Sequence, residues 1–303
     1  MENMLEVIHV SKNFGAVHAV EGLSFSAGPG AVFGLLGPNG AGKTTTIRMI
    51  LDILEPDSGE VRWNGSRVGA DSRHTFGYLP EERGLYPKMR IRDQLLFFAR
   101  LHGMDDAAAK ARIAQLAEAF HLQEALKKNP IELSKGNQQK VQFMAAMAHN
   151  PPLLVLDEPF AGLDPINVEI FKTQIRELLT AGTTILLSSH RMEQVEELCR
   201  DICIIDRAKP VINGNLAEIK RAWPDRFIRM TSTPNLGFLI KFPGASAVSS
   251  DNGYLKIKMP PDLTPADLLR EAVANAPIDH FEVVEPTLTD IYLQYVRPEE
   301  PVA

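Results

Sequence analysis

The sequence has little cysteine, no long hydrophobic run and no basic leader. Only two of its 303 residues are cysteines, Cys199 and Cys203, too few for a four-ligand metal site, so we expect two buried, reduced thiols. No apolar run approaches the roughly 18–20 residues that span a bilayer. The N-terminus lacks a basic region followed by an apolar segment. We therefore expect a soluble, cytoplasmic chain without a signal peptide.

The sequence also has fewer positively charged than negatively charged side chains. Lys and Arg number 32 against 38 Asp and Glu, which gives a net charge of -6 and a pI of about 5.8. Because nucleic-acid binding depends on basic surface, we expect no nucleic-acid partner. The hydrophobic share of 45% is ordinary for a globular protein, and 303 residues suffice for two modest domains.

Short apolar segments alternate with helical patterns through residues 1–220, which predicts a mainly parallel α/β sheet. Strands are predicted at 5–10, 20–26, 31–36, 60–63, 75–78, 153–156, 184–188 and 202–205. Helices are predicted at about 43–51, 134–149, 165–180 and 191–199. The pattern from 91 to 126 is also helical, so we expect a helical subdomain at about 82–150 inserted in the first domain.

The composition shifts after about residue 220, so we predict a first domain at 1–220 and a C-terminal domain at 221–303. The second part contains strand-like segments at 226–232, 254–259 and 281–284 and helical segments near Leu236 and at 265–274 and 288–296. Asn252-Gly253 is typical of a hairpin turn. This order predicts a small α+β, ferredoxin-like domain.

Residues 37–44 read Gly-Pro-Asn-Gly-Ala-Gly-Lys-Thr, which matches G-x-x-x-x-G-K-S/T between an apolar strand and a helix. Curled backbone N–H groups and a helix N-terminus attract phosphate. We expect Lys43 to reach the β- and γ-phosphates of a nucleotide and Thr44 to offer its hydroxyl to Mg²⁺. The candidate binding residues here are Gly37, Pro38, Asn39, Gly40, Ala41, Gly42, Lys43, Thr44 and Thr45.

Two carboxylates, Asp157 and Glu158, stand where the apolar strand 153–156 leaves the predicted sheet. Ligands bind at this edge of parallel α/β sheets. We expect Asp157 to hold Mg²⁺, directly or through water, and Glu158 to polarise the attacking water as general base. The alternative is a solvated Asp-Glu turn.

Residues 133–140 read Leu-Ser-Lys-Gly-Asn-Gln-Gln-Lys, between the phosphate loop and the acidic strand end. Together these motifs make residues 3–215 resemble the ATP-binding subunits of ATP-binding-cassette (ABC) transporters, whose usual signature is Leu-Ser-Gly-Gly-Gln. The resemblance implies a P-loop NTPase cassette with a parallel core sheet, an antiparallel β part and an inserted helical subdomain.

The resemblance also implies that the signature of one copy faces the γ-phosphate bound by a second copy. The residues concerned are Ser134, Lys135, Gly136 and Asn137. Ser134 is suited to cap the helix that follows, whose N-terminus would attract the phosphate. Lys135 departs from the usual glycine, and its side chain points either at phosphate or into solvent.

Further positions take their roles from the same resemblance. Phe14 lies where an aromatic ring stacks on adenine, and Asp164 ends a loop that touches the partner copy. His190 matches the switch histidine that contacts the γ-phosphate. Glu81 replaces the usual glutamine and remains a candidate for Mg²⁺ or its waters. The loop 85–87 is either an apolar contact for a membrane partner or a plain loop.

The resemblance implies an ATPase with ATP and Mg²⁺ as cofactors, working as a homodimer closed by ATP. It would sit on the inner face of the cell membrane and drive a separate transmembrane permease. The C-terminal domain, which contains Glu-Pro-Thr-Leu-Thr-Asp-Ile-Tyr at 285–292, resembles the accessory domain of sodium- and drug-efflux exporters, which favours export.

The alternatives are a soluble ABC ATPase of DNA repair or translation, a P-loop kinase or GTPase-like switch, and an inactive regulatory binder. The first usually carries two cassettes or a long coiled coil, and this chain has neither. The second leaves the octapeptide and His190 unexplained.

Overall fold

The computed structural model describes residues 3–82, 84–231, 246–251, 254–259 and 264–296. The chain divides into two compact units, Met1–Asn215 and Leu216–Ala303. Strands of the first unit are β1 (Leu5–Phe14), β2 (Val17–Ala27), β3 (Val32–Leu36), β4 (Ser58–Trp63), β5 (Ser66–Arg67), β6 (Gly77–Leu79), β7 (Leu153–Asp157), β8 (Thr184–Ser189), β9 (Asp201–Asp206) and β10 (Lys209–Asn215). Its helices are α1 (Lys43–Ile50), α2 (Ala70–Arg73), α3 (Ile91–Leu101), α4 (Asp106–Ala119), α5 (Lys135–Met147), α6 (Pro165–Thr180) and α7 (Met192–Leu198), with 3₁₀ turns at Glu124–Lys127 and Pro130–Glu132.

The centre of the first unit is a six-stranded sheet in the order β10-β9-β3-β8-β7-β6. All neighbours pair in parallel except β10, which runs antiparallel to β9. Every residue of β3, β7 and β8 is buried. Their continuous apolar runs are what a parallel sheet covered on both faces requires. The predicted α/β cassette with a parallel core sheet is therefore confirmed.

A second, antiparallel sheet packs against this core in the order β2-β1-β4-β5. Side chains of β1 and β2 share one buried cluster with those of β3 and α1. The rings of Phe25 on β2 and Phe33 on β3 stack with centroids 4.4 Å apart. This packing places the hairpin between β1 and β2 beside the loop that leads from β3 into α1, because Gly42 and Ala19 approach each other closely.

The helices α3, α4 and α5 form the inserted helical part, between β6 and β7 in sequence. Aromatic rings join it to α6: Phe143 of α5 stacks on Phe171 of α6 at 4.6 Å, and Phe120 meets both rings edge-on. Edge-to-face and stacked pairs are the favoured aromatic geometries. These ring contacts hold α5 against α6.

The second unit contains α8 (Leu216–Ala222), β11 (Phe227–Thr231), β12 (Ser246–Asp251), β13 (Tyr254–Lys258), α9 (Pro265–Asn275), β14 (His280–Val284) and α10 (Leu288–Val296). Its strands pair antiparallel in the order β12-β13-β11-β14, the order of a ferredoxin-like sheet. Apolar residues of α9 and of the sheet form its core. The helix predicted near Leu236 and the turn at Asn252-Gly253 lie outside the described residues.

In the first unit, the sequence patterns misplaced one strand and missed two, the two-residue β5 and the longer β10. The strand predicted at 75–78 begins only at Gly77, because the amides of Thr75 and Phe76 donate to Ser72 and Arg73 at 3.0 and 3.1 Å and continue the turn of α2. The strand β10 was not predicted; its residues are mostly exposed or half-buried, so it lacks the apolar run of its neighbours.

The cysteine prediction is confirmed: Cys199 follows α7, Cys203 lies in β9, and both are buried free thiols. Burial raises the pKa of both, that of Cys203 to about 12. No helix in the described part of the chain is long and apolar enough to cross a membrane.

Candidate active site

The phosphate loop joins β3 to α1 and depends on glycine. Gly37, Gly40 and Gly42 have φ of 148°, 81° and 113°, a region that other residues rarely adopt. A Cβ on Gly37 would lie 2.2 Å from the carbonyl oxygen of Ile205, and one on Gly42 would lie 2.3 Å from that of Ala19. Side chains at these two positions would therefore force the loop away from β9 and β2.

The N-terminus of α1 suits an anion. Its N-cap, Gly42, makes no side-chain hydrogen bond, and the first turn holds no acidic residue, so neither neutralises the free amides. Lys43 is only 7% exposed. Its Nζ donates to the carbonyl oxygens of Gly37 at 2.8 Å and Pro38 at 3.2 Å. The loop backbone thus holds the ammonium group within the curl of the loop, beside the free amides.

The acidic end of β7 lies against the start of α1. The Thr44 hydroxyl donates to Asp157 Oδ2 at 3.2 Å, and the Ser188 hydroxyl donates to Asp157 Oδ1. Asp157 is 1% exposed. A hydroxyl and a carboxylate at this spacing are oxygen ligands of the kind that Mg²⁺ prefers. Mg²⁺ needs only one or two ligands from the protein, because waters and phosphate oxygens complete its coordination.

Glu158 is held in a strained, buried position. Its φ is 50°, and its amide donates to the Ser188 carbonyl at 3.1 Å. The side chain is 5% exposed, with Oε1 2.8 Å from His190 Nδ1 and 3.9 Å from Lys43 Nζ. Ser189 Oγ lies 3.4 Å from Oε2. Such strain persists only where the surroundings determine the geometry, which is common at functional sites.

These groups surround one cavity of about 350 Å³. Its lining consists of Val17, His18, Ala19, Asn39, Gly40, Gly42, Lys43, Thr44, Thr45, Glu81, Asp157 and Glu158. The structure therefore brings Glu81 and most predicted residues of the loop together with the two carboxylates. His190 does not line the cavity but contacts Glu158, which does. Gly37 and Pro38 likewise contact the lining residue Lys43. Ala41 lies in the buried core. Sequence reasoning missed the three β2 residues, whose only signal is their place after Phe14.

Phe14 does not line the cavity. It pairs with Val17 across the β1–β2 hairpin and is 53% exposed. The ammonium of Lys12 lies 6.0 Å from the ring centroid. The ring is thus at the surface, next to the part of the cavity wall that β2 provides.

The signature residues also lie away from the cavity. Ser134 caps α5, accepting a hydrogen bond from the amide of Asn137 at 3.4 Å, and Ser134 and Lys135 are exposed. A Cβ on Gly136 would meet Asn167 of α6 at 3.5 Å. Asp164 caps α6 and accepts from the Asn167 amide at 3.0 Å, which is the main cause of the lowered pKa of Asp164. The signature and the Asp164 loop therefore form one exposed surface.

A second, mostly apolar cavity of about 350 Å³ lies between the helical part and β6, lined in part by Phe98, Leu101 and Gln142. Gln142 Nε2 donates to the carbonyl of Glu82 at 3.2 Å, next to Glu81. Its Oε1 is buried without a partner among the described residues. Tyr78 also lines this cavity, and burial, with the charge of Asp157, raises the pKa of Tyr78 to about 12.

Comparison with known proteins assigns both units. Residues 20–161 match the family described as ABC transporter, and residues 214–296 match "ATP-binding protein DrrA1-3-like, C-terminal domain". The chain is 44% identical to "Uncharacterized ABC transporter ATP-binding protein YhaQ" of Bacillus subtilis (strain 168), over 97% of this chain and 98% of that one. It is 33% identical to "Linearmycin resistance ATP-binding protein LnrL" of the same organism, over 96% and 97%.

A solved structure, "Structure of ATP binding subunit of ABC transporter", superposes with a TM-score of 0.68 at 34% identity, over 72% of this chain and 92% of that one. The chain belongs to the ATP-binding subunits of ABC transporters. It binds and hydrolyses ATP and energises a membrane transporter, because subunits of this family act with transmembrane permease components. The alternatives of DNA repair, translation and kinase or GTPase switching are not favoured, since these relatives are transporter proteins.

Proposed function

We propose that two copies of this chain form a head-to-tail dimer with two composite ATP sites. In each site one copy supplies the phosphate loop, Asp157 and Glu158, and the other supplies residues 134–137. The separation of these groups within one chain supports this arrangement, because the signature residues are absent from the cavity lining. ATP binding then closes the dimer, and hydrolysis reopens it.

In this proposal Lys43 and the loop amides hold the phosphates. Thr44 and Asp157 would hold Mg²⁺, which supplies charge neutralisation between the phosphates when bound. Among the described residues no cluster of three or more His, Cys, Asp or Glu side chains could hold a metal by itself. That observation fits an ion that shares its ligands with the nucleotide. Glu81 lines the same cavity and is the candidate for a ligand through water.

Glu158 is proposed as the general base that orients and deprotonates the attacking water. Its hydrogen bond with His190 supports a coupled role, in which the histidine would hold the carboxylate and contact the γ-phosphate. Phe14 is proposed to stack on adenine, for which its exposed ring next to Val17 is suited.

The second copy would contribute the exposed end of α5. The α5 N-terminus offers amides to the γ-phosphate in trans, with Ser134, Gly136 and Asn137 at the contact and Lys135 as a further positive charge. Asp164 would contact the partner copy from the neighbouring loop. The hydrogen bonds that hold Asp164 and Asn167 together support a rigid contact surface.

The permease is proposed to be a separate chain that docks at the apolar cavity between α3, α5 and β6. Gln142 Oε1, which has no partner among the described residues, supports this, because a donor from the permease would satisfy it. Gln142 also holds the Glu82 carbonyl, so the contact would reach the loop of Glu81. We propose a peripheral position on the cytoplasmic face of the membrane and, given the acidic charge, no nucleic-acid partner.

We also propose that the transporter is an exporter. The relative named for linearmycin resistance aligns with both units, and "Nod factor export ATP-binding protein I" of Paraburkholderia xenovorans (strain LB400) is 39% identical over 70% of this chain and 71% of that one. Residues 221–303 would then be an accessory domain of such a system. Uptake of labelled substrate into inside-out vesicles that contain the co-purified permease would support export.

The observation that carries the dimer is the exposed signature surface, which lies apart from the cavity that it would complete. The test is the mass of Glu158→Gln by light scattering with ATP and Mg²⁺. We expect a dimer with ATP and a monomer with ADP. Adding Ser134→Arg, which fills the contact without touching the cavity, should keep the monomer at all ATP concentrations. A Glu158→Gln protein that stays monomeric with ATP at saturating concentration would contradict the composite site.

A further inference from the structure

One wall of the cavity is the β1–β2 hairpin, which contributes Val17, His18 and Ala19. Of these three, only His18 carries a polar side chain. We propose that His18 accepts a hydrogen bond from a ribose hydroxyl of the bound nucleotide and so selects ribonucleotides. The inference rests on the proposed use of this cavity for ATP.

A cross-strand contact fixes the imidazole of His18. His18 and Asn13 are partners across the hairpin, and His18 Nδ1 lies 2.6 Å from Asn13 Oδ1. Because the amide oxygen of Asn13 can only accept, Nδ1 carries the proton. In the neutral ring the other nitrogen, Nε2, is then an acceptor. Within the described part of the chain, Nε2 has no hydrogen-bond partner.

The orientation of the Asn13 amide is itself determined. Its Nδ2 donates to Asp57 Oδ2 at 3.2 Å, and its backbone N–H donates to the same oxygen at 2.7 Å. Lys12 Nζ donates to Asp57 Oδ1 at 2.7 Å, which keeps that carboxylate ionised by lowering the pKa of Asp57. The contacts through Lys12, Asp57, Asn13 and His18 therefore run along the exposed face of the hairpin to the cavity rim, with every donor and acceptor role assigned.

The chemistry along the cavity favours the ribose over other parts of the nucleotide. Lys43 and the α1 amides take the phosphates, and Phe14, the hairpin neighbour of Asn13, is the surface proposed for adenine. The sugar lies between base and phosphates, so its hydroxyl groups fall next to β2. A hydroxyl group can donate a hydrogen bond to the free nitrogen of a neutral imidazole, whereas a phosphate oxygen can only accept hydrogen bonds.

The test measures the Kd values of ATP, 2′-deoxy-ATP and 3′-deoxy-ATP by calorimetry on the full chain. We use the Glu158→Gln background so that the nucleotide is not consumed. We expect ATP to bind about three- to tenfold more tightly than at least one of the deoxynucleotides, because this ratio of Kd values corresponds to the free energy of one neutral hydrogen bond. In the added variant His18→Leu that preference should disappear, with ATP reduced to the affinity of the deoxynucleotide.

Lys43→Ala in the same background is the matched control. It should weaken all three nucleotides in the same proportion and keep the preference, because it acts on the phosphates. If the preference is absent at the start, or survives His18→Leu in a protein with the parent's melting temperature, the assignment of His18 is wrong. If Lys43→Ala leaves every Kd unchanged, the cavity is not the ATP site and the proposed function fails instead.

Discussion

The N-termini of α1 and α5 are two helix ends with different surroundings. The end of α1 has no side-chain cap and opens into a cavity with Asp157 and Glu158 on its wall. The end of α5 is capped by Ser134, exposed, and begins with Lys135. Both ends carry the partial positive charge of a helix N-terminus. Of these two ends, that of α1 alone has carboxylates of its own chain beside it that could act on a bound anion.

In the proposed dimer, this difference would let one chain hold two halves of a site without completing either. Around α1, the Thr44 hydroxyl lies within hydrogen-bond distance of Asp157 at the end of β7, and the next residue, Glu158, lies within hydrogen-bond distance of His190 after β8. Around α5, the neighbours are the loop and first turn of α6, which hold each other. The following predictions test whether the two ends differ in this way.

The largest effect should come from the carboxylate near α1. Glu158→Gln keeps the size of the side chain but removes the base, so the ATPase kcat should fall by about 100- to 10,000-fold with little change in ATP affinity. Steady-state phosphate release and equilibrium binding give the two values. The control is Glu55→Gln, an exposed carboxylate whose ion pair in the described structure is with Arg67, and this variant should hydrolyse ATP at the parent rate. Turnover in Glu158→Gln within threefold of the parent would sink the general-base role.

The next effect separates the two helix ends directly. Lys43→Ala removes a charge-assisted contact to phosphate and should weaken ATP binding by the single chain by roughly 10- to 100-fold. Ser134→Ala should leave that affinity within twofold, since Ser134 lies outside the cavity. Fluorescent-nucleotide titration at protein concentrations below dimer formation compares them. Equal losses in the two variants would mean that the ends are not functionally distinct.

The smallest effect concerns the other end of α5, where His149 is half-buried, stacks on His102 at 3.8 Å and meets the Thr75 carbonyl at 3.2 Å. Burial, with the charge of His102, lowers the pKa of His149 to about 4. Since the unfolded residue titrates near 6.5, the unfolded chain binds the extra proton between those values, and stability falls as the pH falls through this window.

We expect the fold to lose about 1–2 kcal/mol from this group between pH 7 and pH 5. Urea unfolding at the two pH values measures it, and His149→Gln, which keeps a donor toward Thr75, should remove that part of the pH dependence. An unchanged pH dependence in the variant would show that His149 titrates as it does in the unfolded chain.

Much of this fold follows from local patterns. The buried runs of β3, β7 and β8 and the phosphate loop were predictable because a parallel strand and a glycine-rich turn are determined by neighbouring residues. The short β6 was misplaced because hydrogen bonds of the preceding turn extend to Phe76. The hairpin residue His18 was missed because nothing local marks a residue that reaches the cavity only when the antiparallel sheet packs on the core.

The sequence by itself determined the class of chemistry, since consecutive backbone amides and Lys43 form a phosphate site wherever that loop folds. Only the tertiary structure decided which side chains meet it. Thr44 and Asp157 are 113 positions apart, and Glu158 and His190 are 32 apart. They come together because β3, β8 and β7 lie side by side in the sheet and end at one edge. The same packing leaves residues 134–137 on the outside, which is why a second copy is proposed to complete the site.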